Sequence, residues 1–133
     1  MAPDSEDEDN VRTGPKILVV EDHEFVRMHL VSHLDSADYQ VVEAGDGASG
    51  LEALAKNNDI SLAVIDVRMD PMDGFEMVRK MNGTGSDVPV IFITGDRSDD
   101  IIEQAEALNV KKVMTKPVRK DDMIDEVKNI LSK

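Results

Sequence analysis

The sequence contains no cysteine, which excludes a disulfide framework and a thiolate metal site. It also lacks an apolar run close to the roughly 20 residues that a membrane-spanning helix needs. Its acidic start has no basic region of the kind that begins a signal peptide. From these absences we expect a soluble, cytoplasmic protein.

Basic residues are few compared with acids: 15 Lys and Arg stand against 28 Asp and Glu, which gives a formal net charge of -13. Such a charge repels nucleic-acid backbones and anionic membrane surfaces, because both are polyanions. We therefore expect neither nucleic acid nor a membrane as a partner. Cations and basic protein surfaces are favoured instead.

The length of 133 residues suits one domain, which would bury about two-thirds of its unfolded surface. Residues 1–14 hold five acids and almost no apolar side chain. Such a segment cannot bury enough surface to offset the entropy lost on ordering. We interpret it as a disordered acidic tail, followed by a folded domain over residues 15–133.

Five short apolar runs typical of strands alternate with five segments whose apolar residues recur with a period near 3.6. Three of the runs are nearly continuous in Val, Ile and Leu, as in strands that are buried on both faces. This alternation predicts a parallel sheet with helices on both faces. The predicted strands are 17–20, 40–44, 62–65, 88–93 and 110–115, and the predicted helices are 24–36, 47–56, 74–81, 98–108 and 119–132.

Polar side chains follow four of these strands. They are Glu21-Asp22 after the first, Asp66 after the third, Thr94 after the fourth and Lys116-Pro117 after the fifth. In an open parallel sheet the functional crevice lies beyond the carboxyl ends of the strands, so these groups can converge. Carboxylates suit a hard divalent cation, while a hydroxyl and an ammonium suit phosphoryl oxygens. The sequence therefore indicates phosphoryl transfer to a carboxylate.

The order and spacing of these groups resemble the receiver domain of two-component response regulators, over about residues 16–132. Asp66 comes 44 residues after Asp22, Met72-Asp73-Gly74 follows, and Lys116-Pro117 comes 22 residues after Thr94-Gly95. The resemblance implies a doubly wound (βα)5 fold of the α/β class. Its five-stranded parallel sheet would have the flavodoxin-like strand order 2-1-3-4-5.

The resemblance also implies a function: a signalling switch rather than an enzyme, limited to self-phosphotransfer and autodephosphorylation. A sensor histidine kinase or a phosphotransfer protein would donate the phosphoryl group from a phosphohistidine. The output would be a contact with an unidentified downstream protein, or a role as a phosphate sink or relay. The implied site residues are Asp66 as phosphoacceptor, Thr94 as the phosphoryl-binding hydroxyl and Lys116 as its ion-pair partner. The implied ligands of Mg²⁺ (or Mn²⁺) are Glu21, Asp22, Asp66 and the backbone carbonyl of Arg68. A cis Lys116–Pro117 bond is also implied.

The chain departs from this pattern at Val113, where the family usually carries Tyr or Phe. A valine has no ring to rotate, so the usual coupling to Thr94 must be absent or replaced. Some receivers with Thr-Gly after the fourth strand also lack the ring, and Gly95 could let that loop rearrange. We further hypothesise that Arg68 and Asp96, which flank the phosphoryl site, form an ion pair that limits attacking water.

Three alternatives remain open. A receiver-like interaction module that is not phosphorylated is one. An aspartyl-phosphate phosphatase would need a second Asp two residues after Asp66, where Arg68 stands. A flavin-binding module would need a phosphate-binding loop after the first strand, where the acids of residues 21–24 would repel a phosphate.

Overall fold

The computed structural model describes residues 12–132, in which five strands alternate with five helices. The strands are β1 (Lys16–Val20), β2 (Gln40–Ala44), β3 (Ile60–Asp66), β4 (Val90–Thr94) and β5 (Lys112–Thr115). The helices are α1 (Glu24–Asp35), α2 (Gly47–Lys56), α3 (Gly74–Gly83), α4 (Asp99–Ala107) and α5 (Lys120–Leu131).

The strands form one parallel sheet in the order β2-β1-β3-β4-β5, so the predicted fold and strand order are confirmed. Successive side chains of a strand point to opposite faces of the sheet. In β1, Leu18 and Val20 pack on the side that holds α2, α3 and α4, whereas Ile17 and Val19 pack on the side of α1 and α5. Helices thus cover both faces of the sheet, as predicted.

Two strands begin later than predicted, each for a local reason. The fourth was predicted from residue 88, but Pro89 has no N–H for a ladder and β4 begins at Val90. The fifth was predicted from residue 110, but Val110 N–H donates to the carbonyl of Ala105 at 3.0 Å and thereby closes the end of α4. Asn109 makes this reversal with a left-handed backbone, at φ 63°.

The predicted acidic tail lies mostly outside the described residues. Its last three residues, however, contact the end of α1 and the turn after it. Arg12 pairs with Asp35 at 2.8 Å, and Thr13 and Gly14 donate hydrogen bonds to the side chain and backbone of Asp38. The hydrogen-bonded part of the chain therefore includes residues 12–14. Among residues 12–132, no helix combines the length and the apolar character needed to cross a membrane.

Candidate functional site

The register of the sheet brings the predicted site residues to one edge. Asp66 is the last residue of β3 and pairs with Ile93, and Thr94 is the last residue of β4 and pairs with Thr115. Glu21 follows β1 and continues its pairing with β2, since its N–H donates to the carbonyl of Ala44 at 3.1 Å. The strand ends are therefore level, and the groups that follow them face one crevice.

Three carboxylates meet at this edge. One oxygen of each of Glu21, Asp22 and Asp66 lies within 4.8 Å of the others. Glu21 is fully buried, Asp66 is 2% exposed, and Asp22 is on the surface. The three acids therefore converge, as the sequence predicted. Since like charges at this distance repel, a neighbouring cation stabilises the cluster.

Lys116 supplies one such cation. Its Nζ lies 3.0 Å from Glu21 Oε1 and 3.3 Å from Asp66 Oδ1, with the lysine side chain 25% exposed. Burial alone would lower the pKa of Lys116, but the neighbouring carboxylates of Glu21 and Asp66 outweigh it, so the pKa is raised. The ammonium therefore stays charged at neutral pH and bridges the carboxylates of Glu21 and Asp66.

The donor set fits a hard divalent cation. Glu21 Oε2 accepts a hydrogen bond from His23 N–H at 2.9 Å. Glu21 Oε1 faces Lys116 as an ion pair only, and it is the one buried side-chain polar atom of residues 12–132 that lacks a hydrogen bond. A buried carboxylate oxygen whose partner is a lysine ammonium, beside two further carboxylates, matches the oxygen ligands of Mg²⁺. Glu21, Asp22 and Asp66 are thus the residues that could hold the ion.

The loop after Asp66 is held close to the strand end. Arg68 N–H donates to Asp66 Oδ1 at 3.3 Å, and Gly74 N–H donates to the carbonyl of Val67 at 2.9 Å. A Cβ at Gly74 would lie 2.7 Å from the backbone oxygen of Asp66, so a side chain there would displace the strand end. Asp73 caps α3 by accepting from Glu76 N–H at 2.9 Å. The close approach of the loop to Asp66 therefore explains why a glycine stands at the end of Met72-Asp73-Gly74.

Thr94 is fully buried, and its hydroxyl points toward the loop that follows β4. Oγ1 donates to the carbonyl of Asp96 and accepts from Asp96 N–H, both at 3.1 Å. Asp96 in turn forms the predicted pair with Arg68, with Nη2 and Oδ2 3.4 Å apart and the side chains 70% and 59% exposed. Arg68 links back to Asp66 through the hydrogen bond of its N–H. Thr94, Asp96, Arg68 and Asp66 are thus joined in one chain of contacts.

The remaining predicted positions add two findings. Val113 lies on β5 opposite Phe92, where it is half-buried against the core. A Cβ at Gly95 would meet nothing within 4 Å, so the space around that residue is open. The backbone-carbonyl role of Arg68 stays a prediction.

Sequence reasoning missed two features of this edge. Arg27 of α1 donates to the carbonyl of Glu21 at 2.7 Å, and its only sequence signal is its place in the first turn of α1. The Asp70–Pro71 bond is cis, as is the Lys116–Pro117 bond that the resemblance implied.

Comparison with known proteins finds relatives that match most of this chain. A family model described as the response regulator receiver domain matches residues 17–128. The response regulator receiver protein CpdR of Brucella abortus (strain 2308) is 33% identical over 116 residues, which cover 87% of this chain and 96% of CpdR. The response regulator protein VraR of Staphylococcus aureus (strain NCTC 8325 / PS 47) is 34% identical over 116 residues, 85% of this chain but 54% of VraR. The chain thus spans nearly all of one relative and about half of the other.

Solved structures agree on the fold. The chemotaxis protein CheY4 of Vibrio cholerae superimposes with a TM-score of 0.84 at 24% identity, covering 90% of this chain and 100% of that chain. A response regulator receiver protein from Pseudomonas putida gives a TM-score of 0.80 at 25% identity, covering 90% and 99%. With the family model matched over most of its length, the chain belongs to the family of response regulator receiver domains.

Proposed function

We propose that this chain is a phosphorylation-dependent switch in which Asp66 accepts a phosphoryl group from the phosphohistidine of a partner. Receiver domains are signalling modules that bind Mg²⁺ at an acidic pocket and interact with histidine kinases and phosphotransfer proteins. The observation that carries the proposal for this chain is the buried Asp66, which shares one lysine with Glu21 and one acidic cluster with Glu21 and Asp22.

The transfer step is a substitution at phosphorus. Both described contacts of the Asp66 carboxylate fall on Oδ1, which leaves Oδ2 as the attacking oxygen. The new O–P bond forms as the P–N bond of the phosphohistidine breaks, and the departing imidazole retains the bond electrons and takes a proton from solvent. Magnesium, when bound by the acids, supplies positive charge that stabilises the phosphoryl oxygens. Lys116 lies close enough to Asp66 to pair with another of those oxygens.

Thr94 then responds to the added charge. Its hydroxyl leaves the two hydrogen bonds with Asp96 and donates to a phosphoryl oxygen. This frees the backbone of Asp96, while the exposed pair of Asp96 with Arg68 is kept in the phosphorylated state. Because Val113 offers no ring, we assign the readout to the segment from Thr94 to Ser98 rather than to β5.

The switch resets by hydrolysis. Water attacks phosphorus and the bond between phosphorus and the Asp66 oxygen breaks. Inorganic phosphate is released, and Asp66 is again a free carboxylate. The Arg68–Asp96 pair joins the loop that follows Asp66 to the loop that follows β4, and in our proposal it limits the approach of that water. In our proposal this self-dephosphorylation is the only hydrolytic chemistry of the chain. The output of the switch is a contact with a downstream protein, or a role as a phosphate sink or relay.

The test is incubation with Mg²⁺ and acetyl phosphate, followed by intact mass and by amide spectra of residues 94–98. We expect one phosphoryl group on the wild type and on Asp70→Asn, a control that neutralises a nearby exposed acid. Asp66→Asn should gain none and should show no shift of these amides. An unmodified wild type would favour the interaction module that is not phosphorylated.

A further inference from the structure

Arg27 lies beside the acidic cluster without belonging to it. Its side chain is 21% exposed, and its guanidinium bridges two elements. Nη1 donates to the backbone carbonyl of Glu21 at 2.7 Å, and Nε donates to the Glu43 carboxylate of β2 at 3.2 Å. A planar guanidinium presents its donors in a fixed fork, so both acceptors are held in one geometry.

The guanidinium of Arg27 is one of three partners that hold Glu21 in place. The Glu21 N–H is bonded to Ala44 of β2, its Oε2 to His23 N–H, and its carbonyl to Arg27. Because the peptide unit is planar, holding the Glu21 carbonyl also sets the direction in which the chain enters Asp22.

Asp22 depends on that direction more than the other acids do. Asp66 and Glu21 are buried and contacted by Lys116, whereas the Asp22 side chain is exposed and makes no hydrogen bond or ion pair with any of residues 12–132. The peptide plane that Arg27 holds is therefore a constraint, through the backbone alone, on where the Asp22 carboxylate lies.

We propose that Arg27 is a positioning residue for divalent-cation binding: its fork between Glu21 and Glu43 holds Glu21 and Asp22 in the arrangement that a cation requires. This inference rests on the proposed function, since it assumes that these acids bind Mg²⁺. Partners of metal ligands typically change metal affinity by about 10- to 100-fold when they are removed.

The sign of the effect separates positioning from charge. Arg27 is a cation beside a cation site, so by Coulomb's law alone its removal would strengthen Mg²⁺ binding. Positioning predicts the opposite, a weaker affinity. A merely structural role predicts a lower melting temperature with unchanged Mg²⁺ affinity in the folded protein.

The experiment is a Mg²⁺ titration without phosphodonor, followed by the amide shifts of Asp22 and Asp66, with melting curves recorded in EDTA. We expect Arg27→Ala to raise the Mg²⁺ Kd by about 10-fold. The matched control is Arg12→Ala, which removes one positive charge and one ion pair, the pair with Asp35. Arg12 precedes β1 and therefore lies at the opposite edge of the sheet from the acids. It should leave the Kd at the wild-type value.

Arg27→Lys separates the fork from the charge. Lysine keeps the positive charge but cannot hold both acceptors, so we expect a Mg²⁺ Kd between those of the wild type and Arg27→Ala. If Arg27→Ala does not fold, the Kd of Arg27→Lys tests the positioning role. An unchanged or tighter Kd in Arg27→Ala, or a wild-type Kd in Arg27→Lys, would overturn the proposal. Failure of the wild type to bind Mg²⁺ would instead refute the metal site of the proposed function, and the positioning role with it.

Discussion

Lys116 holds its ammonium 3.0 Å from an oxygen of Glu21 that is fully buried, and the same ammonium lies 3.3 Å from Asp66. One lysine therefore offsets charge on two acids that have little access to water. Removing one partner of a buried charge group is costly because the other partner stays buried without compensation. Lys116 is therefore expected to contribute to the stability of the fold.

Lys116→Met should lower the free energy of unfolding in EDTA by about 2 kcal/mol, below the 3–5 kcal/mol of a fully buried pair because Lys116 is partly exposed. Mg²⁺ should then stabilise the variant more than it stabilises the wild type, since the ion takes over the neutralising role. Chemical denaturation with and without Mg²⁺ measures both effects.

The matched control is Lys112→Met, which removes a partly exposed lysine paired with Glu126 at 3.4 Å on the edge strand. It should change stability little, with no Mg²⁺ dependence. Equal losses in the two variants would contradict the account of Lys116.

The contribution of Lys116 to stability should also depend on pH. Its pKa is raised above the ordinary 10.5, so the stabilisation is fully present below that value and is lost as pH rises through the higher folded-state pKa. The difference in unfolding free energy between wild type and Lys116→Met should be constant from about pH 6 to pH 9 and narrow only above about pH 10.5. A difference that already narrows near pH 8 would show that the ammonium is not held by the acids.

Gly74→Ala tests the tight approach of the loop to the strand end. The added Cβ would sit 2.7 Å from the Asp66 backbone oxygen, and overpacking of this kind costs about 1–3 kcal/mol. The displaced strand end should also slow phosphorylation by acetyl phosphate. Gly83→Ala, in the last turn of the same helix, is the control because a Cβ there meets nothing within 4 Å. It should be neutral or stabilising, and a neutral Gly74→Ala would contradict the steric argument.

The Arg68–Asp96 pair should lengthen the life of the phosphorylated state. We expect Arg68→Ala and Asp96→Ala each to shorten the half-life of the phosphorylated protein. The half-life of the double variant should be no shorter than that of the more affected single variant, because the two residues act as a pair. Release of inorganic phosphate from the phosphorylated protein measures this. Arg97→Ala, which alters the neighbouring residue, is the control. Half-lives equal to wild type in all variants would remove the pair from the mechanism.

The sequence was sufficient to predict the sheet and the edge where the acids meet. Runs rich in Val, Ile and Leu predict buried parallel strands, and the residues that follow such strands must share an edge. The start of β4 was wrongly predicted because the apolar pattern was given more weight than Pro89, whose missing N–H is a signal that the sequence contains. The start of β5 depends on the left-handed turn at Asn109, which the apolar pattern does not encode.

The parts of the site that sequence reasoning missed are contacts between elements. Arg27 reaches Glu21 and Glu43 only because α1 packs beside β1 and β2, which no local pattern encodes. The direction of the Thr94 hydroxyl is likewise set by the turn that places Asp96 N–H and C=O beside it. The sequence predicted which residues share the edge, but not these contacts.

Locating the phosphoryl group is the most direct test of the central claim. After incubation with Mg²⁺ and acetyl phosphate, borohydride reduces an acyl phosphate to an alcohol and marks the modified residue for peptide mapping. We predict a single mark at Asp66, absent without Mg²⁺ and absent in Asp66→Asn. A mark at another acid, or an unmarked wild type whose fold is intact, would contradict the assignment of Asp66 as the phosphoacceptor.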